Sequence, residues 1–325
     1  MKLPIGAILA LSAAMAMPVA AQEITIRVAH SLSTSEPTHL AAEYFAKNLA
    51  ERSKGRVVLQ IFPNQQLGSE KDVNEMMRQG ANLMTITDAG YLSDFVPDIG
   101  VLAGPYLYRS PDDQTRLIKS DWFKGIEQQL EKSNIQLIVK NGFFGQREII
   151  ADRPIRKPAD IAGMTIRVPP NTVFVETFKA MGARPATVQW SEVYSALQQN
   201  VVAGAEAPLG SLWGSKLYET RKVISMTNHF TAFNYWVINT GYFKRLPPDV
   251  QKMLLEEGEK AGAYMTKLTI EKQDGYKDQL RKAGVTIVED VDIPAFQKVT
   301  ASVYNAFPKW TPGLHETVVK IINSK

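Results

Sequence analysis

The sequence predicts an α/β protein of two domains, in which mainly parallel sheets are flanked by helices and one long helix lies across both domains. Three observations support this fold class. Residues 23–87 alternate between strand and helix patterns in the order β-α-β-α-β, which is typical of a parallel sheet covered by helices. A second alternation covers residues 164–205. A helical pattern over residues 246–282 would extend for roughly 50 Å, longer than one small domain requires.

The first 21 residues have the pattern of a secretory signal peptide. Lys2 provides a charged start, residues 5–17 are apolar, and small residues ending at Ala21 offer a cleavage site. The apolar run is too short for a membrane span, although a retained anchor is the alternative. The remaining chain of about 300 residues is long enough for two domains of ordinary size.

Composition excludes several classes of protein. The formal net charge falls from +4 to +3 without the first 21 residues, since Lys2 is their only charged residue, and no basic tract indicates nucleic-acid binding. The absence of cysteine excludes a thiol nucleophile, a thiolate metal site and disulfides. The histidines show no metal-binding spacing, so we expect neither a metal site nor a cofactor. Export without an anchor predicts a soluble periplasmic protein.

The first domain opens with two helices between three strands. Pro37 is a residue favoured in the first turn of a helix. Ser69 can cap the second helix, where Glu70 and Asp72 lie at the positive end of the helix dipole. The predicted strands are residues 23–29, 57–61, 83–87 and 135–139, with a loop over 91–108 and a helix over 122–132.

The second domain repeats the alternation. Its predicted strands are residues 164–168, 186–188 and 201–205, and its helices are near residues 173–181 and 191–200; a further strand is predicted over residues 233–239. Three glycines are candidate bend points in the long helix, which ends at Gly284: Gly258, Gly262 and Gly275. A last strand over residues 285–288 and a helical tail from residue 293 complete the chain.

Arg167 is the residue whose position most strongly indicates a binding site. It lies within a short β-prone run, just before Pro169 and Pro170, which must end the strand. The ends of such strands are where α/β proteins place ligand contacts. A desolvated guanidinium there suits a planar anion, because its donors match a carboxylate in pairs. The alternative is a structural ion pair with an acidic residue.

Three parts of the chain form a recognisable pattern: Arg147, the run Pro-Ala-Asp-Ile-Ala-Gly-Met-Thr-Ile-Arg-Val-Pro at residues 158–169, and Trp-Ser-Glu-Val-Tyr-Ser-Ala-Leu-Gln at residues 190–198. This pattern resembles the DctP family, the extracytoplasmic solute-binding subunits of TRAP transporters. Similarity also extends to residues 62–68, 217–219 and 226–229, and to the long helix. It covers essentially the whole chain after the signal peptide.

The resemblance implies two α/β lobes that close at a hinge over an organic acid, with the long helix bracing both. We assign residues 22–144 with 233–272 to the first lobe, and residues 145–232 with 273–325 to the second. In the family pattern, Arg167 matches the arginine that binds the ligand carboxylate, and Arg147 matches a second arginine of the cleft. Trp190 and Glu206 match an aromatic and an acidic position.

Two positions depart from the family pattern. Ala207 stands where sialic-acid-binding members often carry Asn, and Ala203 stands where Asp is usual. The first difference argues against a polar contact of the sialic-acid type at that position. Neither difference affects the assignment of Arg167.

The remaining candidates each have a structural alternative. Arg147 contacts ligand or orients Glu206, and Glu206 accepts hydrogen bonds from ligand hydroxyls or only holds an arginine. Trp190 can form an apolar wall of the pocket. Asn234, His39 and Asp88 complete the predicted substrate-binding residues, with core packing or surface roles as the alternatives.

The sequence therefore predicts a monomeric periplasmic receptor that binds a small organic acid and delivers it to the membrane carrier of a TRAP transporter. A sugar acid is favoured, with a C4-dicarboxylate or another hydroxy or keto acid as the alternative. A secreted hydrolase or lyase is the rival class, although the chain lacks Gly-x-Ser-x-Gly and His-Glu-x-x-His motifs. A ligand-sensing partner of a membrane signalling protein would need the same closing receptor.

Overall fold

The computed structural model describes residues 23–324, so the predicted signal peptide lies outside the described residues. Over this range the chain is α/β, with nine strands in one mixed sheet. The strands are β1 (Ile24–Ala29), β2 (Val57–Phe62), β3 (Leu83–Thr87), β4 (Ile135–Ala151), β5 (Thr165–Val168), β6 (Arg184–Thr187), β7 (Gly204–Pro208), β8 (Val223–Asn239) and β9 (Thr286–Val288).

Helices cover the sheet. They are α1 (Pro37–Arg52), α2 (Glu70–Arg78), α3 (Ala89–Leu92), α4 (Pro111–Ile118), α5 (Asp121–Lys132), α6 (Pro158–Ile161), α7 (Thr172–Ala180), α8 (Val193–Gln198), α9 (Leu209–Gly214), α10 (Thr240–Arg245), α11 (Pro248–Lys282), α12 (Ile293–Thr300) and α13 (Leu314–Asn323). Short 3₁₀ turns occur at Pro97–Ala103, Trp190–Glu192, Leu217–Glu219 and Ala301–Asn305.

The sheet runs through both lobes in the order β2-β1-β3-β8-β4-β7-β5-β6, with β9 paired to β8. In the first lobe β1 pairs in parallel with β2 and β3, and in the second lobe β5 pairs in parallel with β6 and β7. The antiparallel strands β4 and β8 join these two parallel parts. The predicted fold class is confirmed, and the crossing strands make the sheet mixed.

The crossing strands are much longer than predicted. β4 and β8 each contain 17 residues, whereas the sequence indicated strands only over residues 135–139 and 233–239. Gly145 interrupts the strand pattern in the sequence. In the structure this glycine lies within β4, with φ +136° and at a position where a Cβ would be 3.0 Å from Cβ of Pro208. Register shifts between β4 and β8 further disturb the alternation of apolar side chains.

Other elements agree with the sequence to different degrees. β3 has the predicted bounds, and the side chain of Ser69 caps α2 by accepting a hydrogen bond from the Asp72 N–H. The predicted loop over residues 91–108 contains the end of α3 and a 3₁₀ turn. The strand predicted over residues 201–205 begins three residues later, as β7 (Gly204–Pro208). Helices α4 and α9 are not predicted from the sequence.

Apolar side chains form two buried clusters in each lobe. The first-lobe clusters combine residues from β1, β3 and the ends of β4 and β8 near Ile135 and Val237. The second-lobe clusters combine β5 and β7 with the opposite ends of those strands, near Ile150 and Ile224. Leu314 of α13 packs in a first-lobe cluster, while the boundary assigned to the lobes stays a prediction.

The 35-residue helix α11 crosses behind the sheet, as expected. Its first half packs on β4 through glycines: a Cβ on Gly258 would lie 2.8 Å from the Ile138 carbonyl oxygen, and one on Gly262 would lie 1.9 Å from Asn141 Oδ1. Gly258 and Gly262 therefore permit close approach of helix and strand, and bending at these glycines stays a prediction. Around Gly275 there is open space.

Candidate functional site

A cleft lies between the lobes, where the chain leaves β1, β3 and β5. Its empty space is about 580 Å³ including the open mouth. Its wall mixes charged, amide and aromatic groups: His30, Ser31, Leu32, Gln65, Glu70, Ile86, Asp88, Tyr91, Phe144, Arg147, Arg167, Pro169, Trp190, Ala207, Pro208, Ser211 and Asn234.

Arg167 is held rigidly at the end of β5 with most of its donors available. Its side chain is 3% exposed, and its Nε donates a 2.9 Å hydrogen bond to the Val188 carbonyl oxygen. The guanidinium carbon lies 5.1 Å from the centre of the Trp190 ring. Among the hydrogen bonds of residues 23–324, neither Nη1 nor Nη2 is a donor, and the nearest carboxylate oxygen to Nη1 is Glu206 Oε1 at 3.9 Å. These nitrogens can bind an anion bidentately.

A second buried arginine provides a useful comparison. Arg221 donates hydrogen bonds to the carbonyl oxygens of Ala203, Val202 and Thr220 and to Asn200 Oδ1. Its guanidinium is used to hold local backbone. Arg167 has no such set of backbone acceptors in the described chain, which distinguishes a ligand-ready guanidinium from a structural one. Burial lowers the pKa of Arg167 to about 10, so it is charged at neutral pH.

Arg147 forms a buried ion pair with Glu206. Arg147 Nε lies 2.5 Å from Glu206 Oε2 and Nη2 lies 2.7 Å from Oε1, which forms a bidentate pair between β4 and β7. Burial alone would raise the pKa of Glu206, but the charge and hydrogen bonds of Arg147 hold it below its usual value. Glu206 is fully buried and lies behind the cleft wall, whereas Arg147 is part of the wall.

His229 supports this pair from behind. Its Nε2 lies 3.4 Å from Glu206 Oε2, and its Nδ1 lies 2.7 Å from Thr227 Oγ1. Burial lowers the pKa of His229, so the ring is neutral and adds no charge. The sequence provided a family match at this residue but no reason to connect it with Glu206, since the contact depends on the pairing of β7 and β8 across β4.

Two acidic residues face the cleft from the first lobe. Glu70 is the first residue of α2, and Asp88 follows β3 and caps α3 by accepting a 3.1 Å hydrogen bond from the Tyr91 N–H. Burial, and then the negative charge of Asp88, raise the pKa of Glu70 to about 8. Burial also raises the pKa of Asp88. At neutral pH Glu70 therefore carries a proton and can donate a hydrogen bond.

Asn234 and His30 line the first-lobe wall, and His39 lies behind it. Thr38 Oγ1 donates a 3.0 Å hydrogen bond to Asn234 Oδ1, which turns the amide NH₂ away from Thr38. The Leu32 N–H donates to His30 Nδ1, so His30 Nε2–H points at His39 Nδ1, 3.0 Å away. Burial lowers the pKa of His30 to about 3, and it remains neutral.

Of the seven residues predicted from the sequence, the structure brings five together in the wall: Arg147, Arg167, Asp88, Trp190 and Asn234. Glu206 and His39 contact those wall residues or their neighbours from behind. Sequence reasoning missed His30, Gln65, Glu70, Tyr91, Phe144 and Ser211 as wall residues. The position of His30, directly after β1, was a usable signal because strand ends meet at one edge of a parallel sheet.

A family model for DctP, the bacterial extracellular solute-binding protein family 7, matches residues 28–309. This chain belongs to the DctP family. The predicted resemblance is therefore confirmed over most of the chain, including every residue placed in or behind the cleft wall. The family consists of solute-binding proteins rather than enzymes.

Solved structures of TRAP periplasmic solute-binding proteins are similar over nearly the whole chain. One from Ochrobacterium anthropi with bound L-fuconate is 38% identical, with a TM-score of 0.90, and covers 93% of this chain and 100% of its own. One from Actinobacillus succinogenes with bound L-galactonate is 35% identical, with a TM-score of 0.89 and coverages of 92% and 99%. One from Fusobacterium nucleatum with bound sn-glycerol-3-phosphate is 31% identical, with a TM-score of 0.89 and coverages of 92% and 97%.

The fold of this DctP protein is thus that of a two-lobed TRAP solute-binding protein. Among the helices of residues 23–324, none is long and apolar enough to cross a membrane.

Proposed function

We propose that this DctP protein is a periplasmic receptor for a sugar acid, exported by its N-terminal signal peptide, which delivers the acid to the membrane carrier of a TRAP transporter. The observation that carries the proposal is the guanidinium of Arg167, buried in the cleft with Nη1 and Nη2 available for a carboxylate. Two similar proteins contain bound sugar acids, L-fuconate and L-galactonate.

Arg167 binds the carboxylate of the ligand in this proposal. A planar carboxylate accepts two parallel hydrogen bonds from a guanidinium, and the buried setting strengthens them. Trp190 stacks against the guanidinium and fixes its plane. Arg147 adds positive potential, while its bidentate bond to Glu206 leaves it less able to bind a second anion.

Polar groups of the first lobe bind the hydroxyls of the sugar chain. Glu70, Asp88 and the amide of Asn234 lie in the wall with His30 and Gln65. A row of hydrogen-bonding groups matches a polyhydroxylated chain, and it discriminates strongly against analogues without hydroxyls, because those would leave buried polar groups unpaired.

Closure of the two lobes completes the site. With the lobes divided at residues 144/145, 232/233 and 272/273, Arg147, Arg167 and Trp190 belong to the second lobe. Glu70 and Asp88 then belong to the first. A ligand that touches both walls shifts the equilibrium towards the closed state by its differential contacts. We expect a monomer that acts without a metal or cofactor.

A phosphate monoester is the second candidate class, since the Fusobacterium nucleatum protein contains bound sn-glycerol-3-phosphate. A C4-dicarboxylate, like a phosphate monoester, carries a second negative charge that the cleft would have to bind. Glu70 and Asp88 bring negative charge to the opposite wall when they ionise, and Arg147 is already paired. This balance favours a ligand with one negative charge and several hydroxyls.

Thermal unfolding against a ligand panel tests the proposal. The panel holds L-fuconate, L-galactonate, hexuronates, C4-dicarboxylates, sn-glycerol-3-phosphate and neutral sugars. A ligand at a hundred times its Kd stabilises a protein by about 2.7 kcal/mol. We expect the shift to be confined to sugar acids and to disappear in Arg167→Ala, while Arg184→Ala, which removes an exposed arginine of neighbouring β6, retains it.

Two outcomes would overturn this assignment. Stabilisation by neutral sugars alone, or acid binding that persists unchanged in Arg167→Ala, would place the carboxylate site elsewhere. If NMR of the ligand shows that the protein converts the bound acid chemically, that result would favour the rival hydrolase or lyase class.

A further inference from the structure

Glu36 is a buried carboxyl group outside the ligand cleft. It directly precedes α1 and is 1% exposed. Its Oε1 accepts a 2.9 Å hydrogen bond from the Ser33 N–H. Burial raises the pKa of Glu36. Hydrogen bonds from Ser211 and Ser33 partly oppose this rise, and no cation in the described chain contributes to that opposition. A buried carboxyl group that costs free energy to place needs hydrogen-bond partners.

The second partner of this carboxyl group comes from the other lobe. Ser211 Oγ donates a 2.5 Å hydrogen bond to Glu36 Oε2, and Ser211 is 1% exposed. Ser211 lies on α9, whose Leu209 and Leu212 pack in a second-lobe cluster. The helix that follows Glu36 packs in a first-lobe cluster through Phe45. The hydrogen bond therefore connects the two lobes directly.

Gly214 brings α9 close to the segment before α1. A Cβ on Gly214 would lie 2.3 Å from Ser33 Oγ and 3.1 Å from Glu36 Oε1. An added Cβ at Gly214 requires the Ser33 and Glu36 side chains to shift, because real Cβ atoms do not approach so closely. The end of α9 is therefore shaped to fit against the first lobe.

The contact borders two cavities. Ser211 lines the ligand cleft, whereas both Glu36 and Ser211 line a small separate cavity against α11, with Thr269 and Tyr276 in its wall. Glu36 is absent from the cleft wall in the described chain. A substitution at Glu36 thus tests the contact between lobes without removing a group from the ligand site.

We propose that the hydrogen bond between Ser211 and Glu36 is a latch that stabilises the closed conformation of this receptor and so raises its affinity for ligand. In this proposal the hydrogen bond breaks when the lobes separate, so it stabilises the closed state alone. Affinity rises with the closed fraction. The inference rests on the proposed function, because the latch acts on closure over a ligand.

A double-mutant cycle on L-galactonate binding separates a latch from a ligand contact. We expect Ser211→Ala and Glu36→Ala each to raise the Kd about two- to twelvefold, the effect of one ordinary hydrogen bond. The double variant should bind no worse than the weaker single variant, since both remove the same bond. Glu36→Gln, which can still pair with Ser33 and Ser211, should stay close to wild type.

Two outcomes of the double-mutant cycle would contradict the latch. Effects that multiply in the double variant would make Ser211 a ligand contact that acts independently of Glu36. An unchanged Kd in Glu36→Ala would equally overturn the latch.

Distances between spin labels test closure itself, with and without ligand. Because the chain has no cysteine, labels can be placed at Lys47→Cys on α1 and Lys179→Cys on α7, both at exposed positions. We expect Gly214→Ala to reduce the population with the short, closed distance both with and without L-galactonate. The control Gly125→Ala, at a helix position with nothing within 4 Å, should match wild type.

The label experiment also separates this inference from the proposed function. If no acid changes the wild-type distances, the proposed function fails, and the ligand-free distances of Gly214→Ala still test the latch. If Gly214→Ala and Glu36→Ala both give the wild-type distance distribution in both conditions, the latch is overturned whatever ligand the protein binds.

Discussion

Arg147 on β4 and Glu206 on β7 form a bidentate ion pair with almost no access to solvent: the exposed fractions of their side chains are 8% and 0%. The pair lies directly behind Arg167, with Glu206 Oε1 3.9 Å from Arg167 Nη1. Within these three residues two positive charges face one negative charge. One net positive charge therefore remains at the cleft, which suits a ligand with a single carboxylate.

The first prediction concerns the stability contributed by this pair. Glu206→Gln should lower the free energy of unfolding by about 3–5 kcal/mol, because it leaves a buried arginine without its counter-charge. Chemical denaturation measures the change. The control Glu176→Gln removes an i,i+3 partner of Lys179 near the surface and should cost no more than about 0.5 kcal/mol. Equal effects of the two substitutions would contradict a buried, fully formed pair.

The second prediction concerns the pH dependence of binding. The pKa of Glu70 is raised to about 8, so Glu70 is neutral at pH 7 and becomes negative as the pH rises past 8. An ionised Glu70 repels an anionic ligand, so the Kd for L-galactonate should rise between pH 7 and 9, by up to about tenfold per pH unit above the pKa. Glu70→Gln should remove most of this dependence. A wild-type Kd that is flat or falls over this range would contradict the prediction.

Local sequence patterns predict a binding residue at Arg167 and the bounds of β3, because a short apolar run and the residues that end it are sufficient to define a strand end. They did not predict the full extent of β4, where Gly145 and the register shifts interrupt the alternation of apolar residues. The stability of that segment comes from pairing with β8, which is distant in sequence. The sequence explains Glu70 only by its favourable position at the positive end of the α2 dipole. Its place in the same cleft wall as Arg167 depends on the meeting of the two lobes.

The third prediction concerns the pH dependence of stability. Glu148 on β4 is fully buried; its Oε2 accepts a 2.9 Å hydrogen bond from the Asn228 N–H, and its Oε1 has no partner within residues 23–324. Burial raises its pKa from 4.5 to about 8. Between these values the folded state holds a proton that the unfolded state has lost, so this group's contribution to stability falls as the pH rises.

Glu148→Gln isolates that contribution. The variant keeps the hydrogen-bond acceptor for Asn228 but does not ionise. The difference in free energy of unfolding, variant minus wild type, should increase by up to about 1.4 kcal/mol per pH unit from about pH 4.5 to 8 and then level off. Denaturation series at several pH values measure it. A difference independent of pH would mean that Glu148 is ionised in the folded protein.

The last prediction concerns the close packing of α11 on β4. Gly258→Ala places a Cβ 2.8 Å from the Ile138 carbonyl oxygen, a backbone atom that cannot rotate away. Overpacking of this kind costs about 1–3 kcal/mol, which exceeds the gain of up to about 1 kcal/mol in helix propensity. Gly275→Ala, on the same helix with nothing within 4 Å, should instead gain stability by up to about 1 kcal/mol. Thermal and chemical unfolding of the two variants should therefore shift in opposite directions, and a shared stabilisation would show that helix and strand are less closely packed.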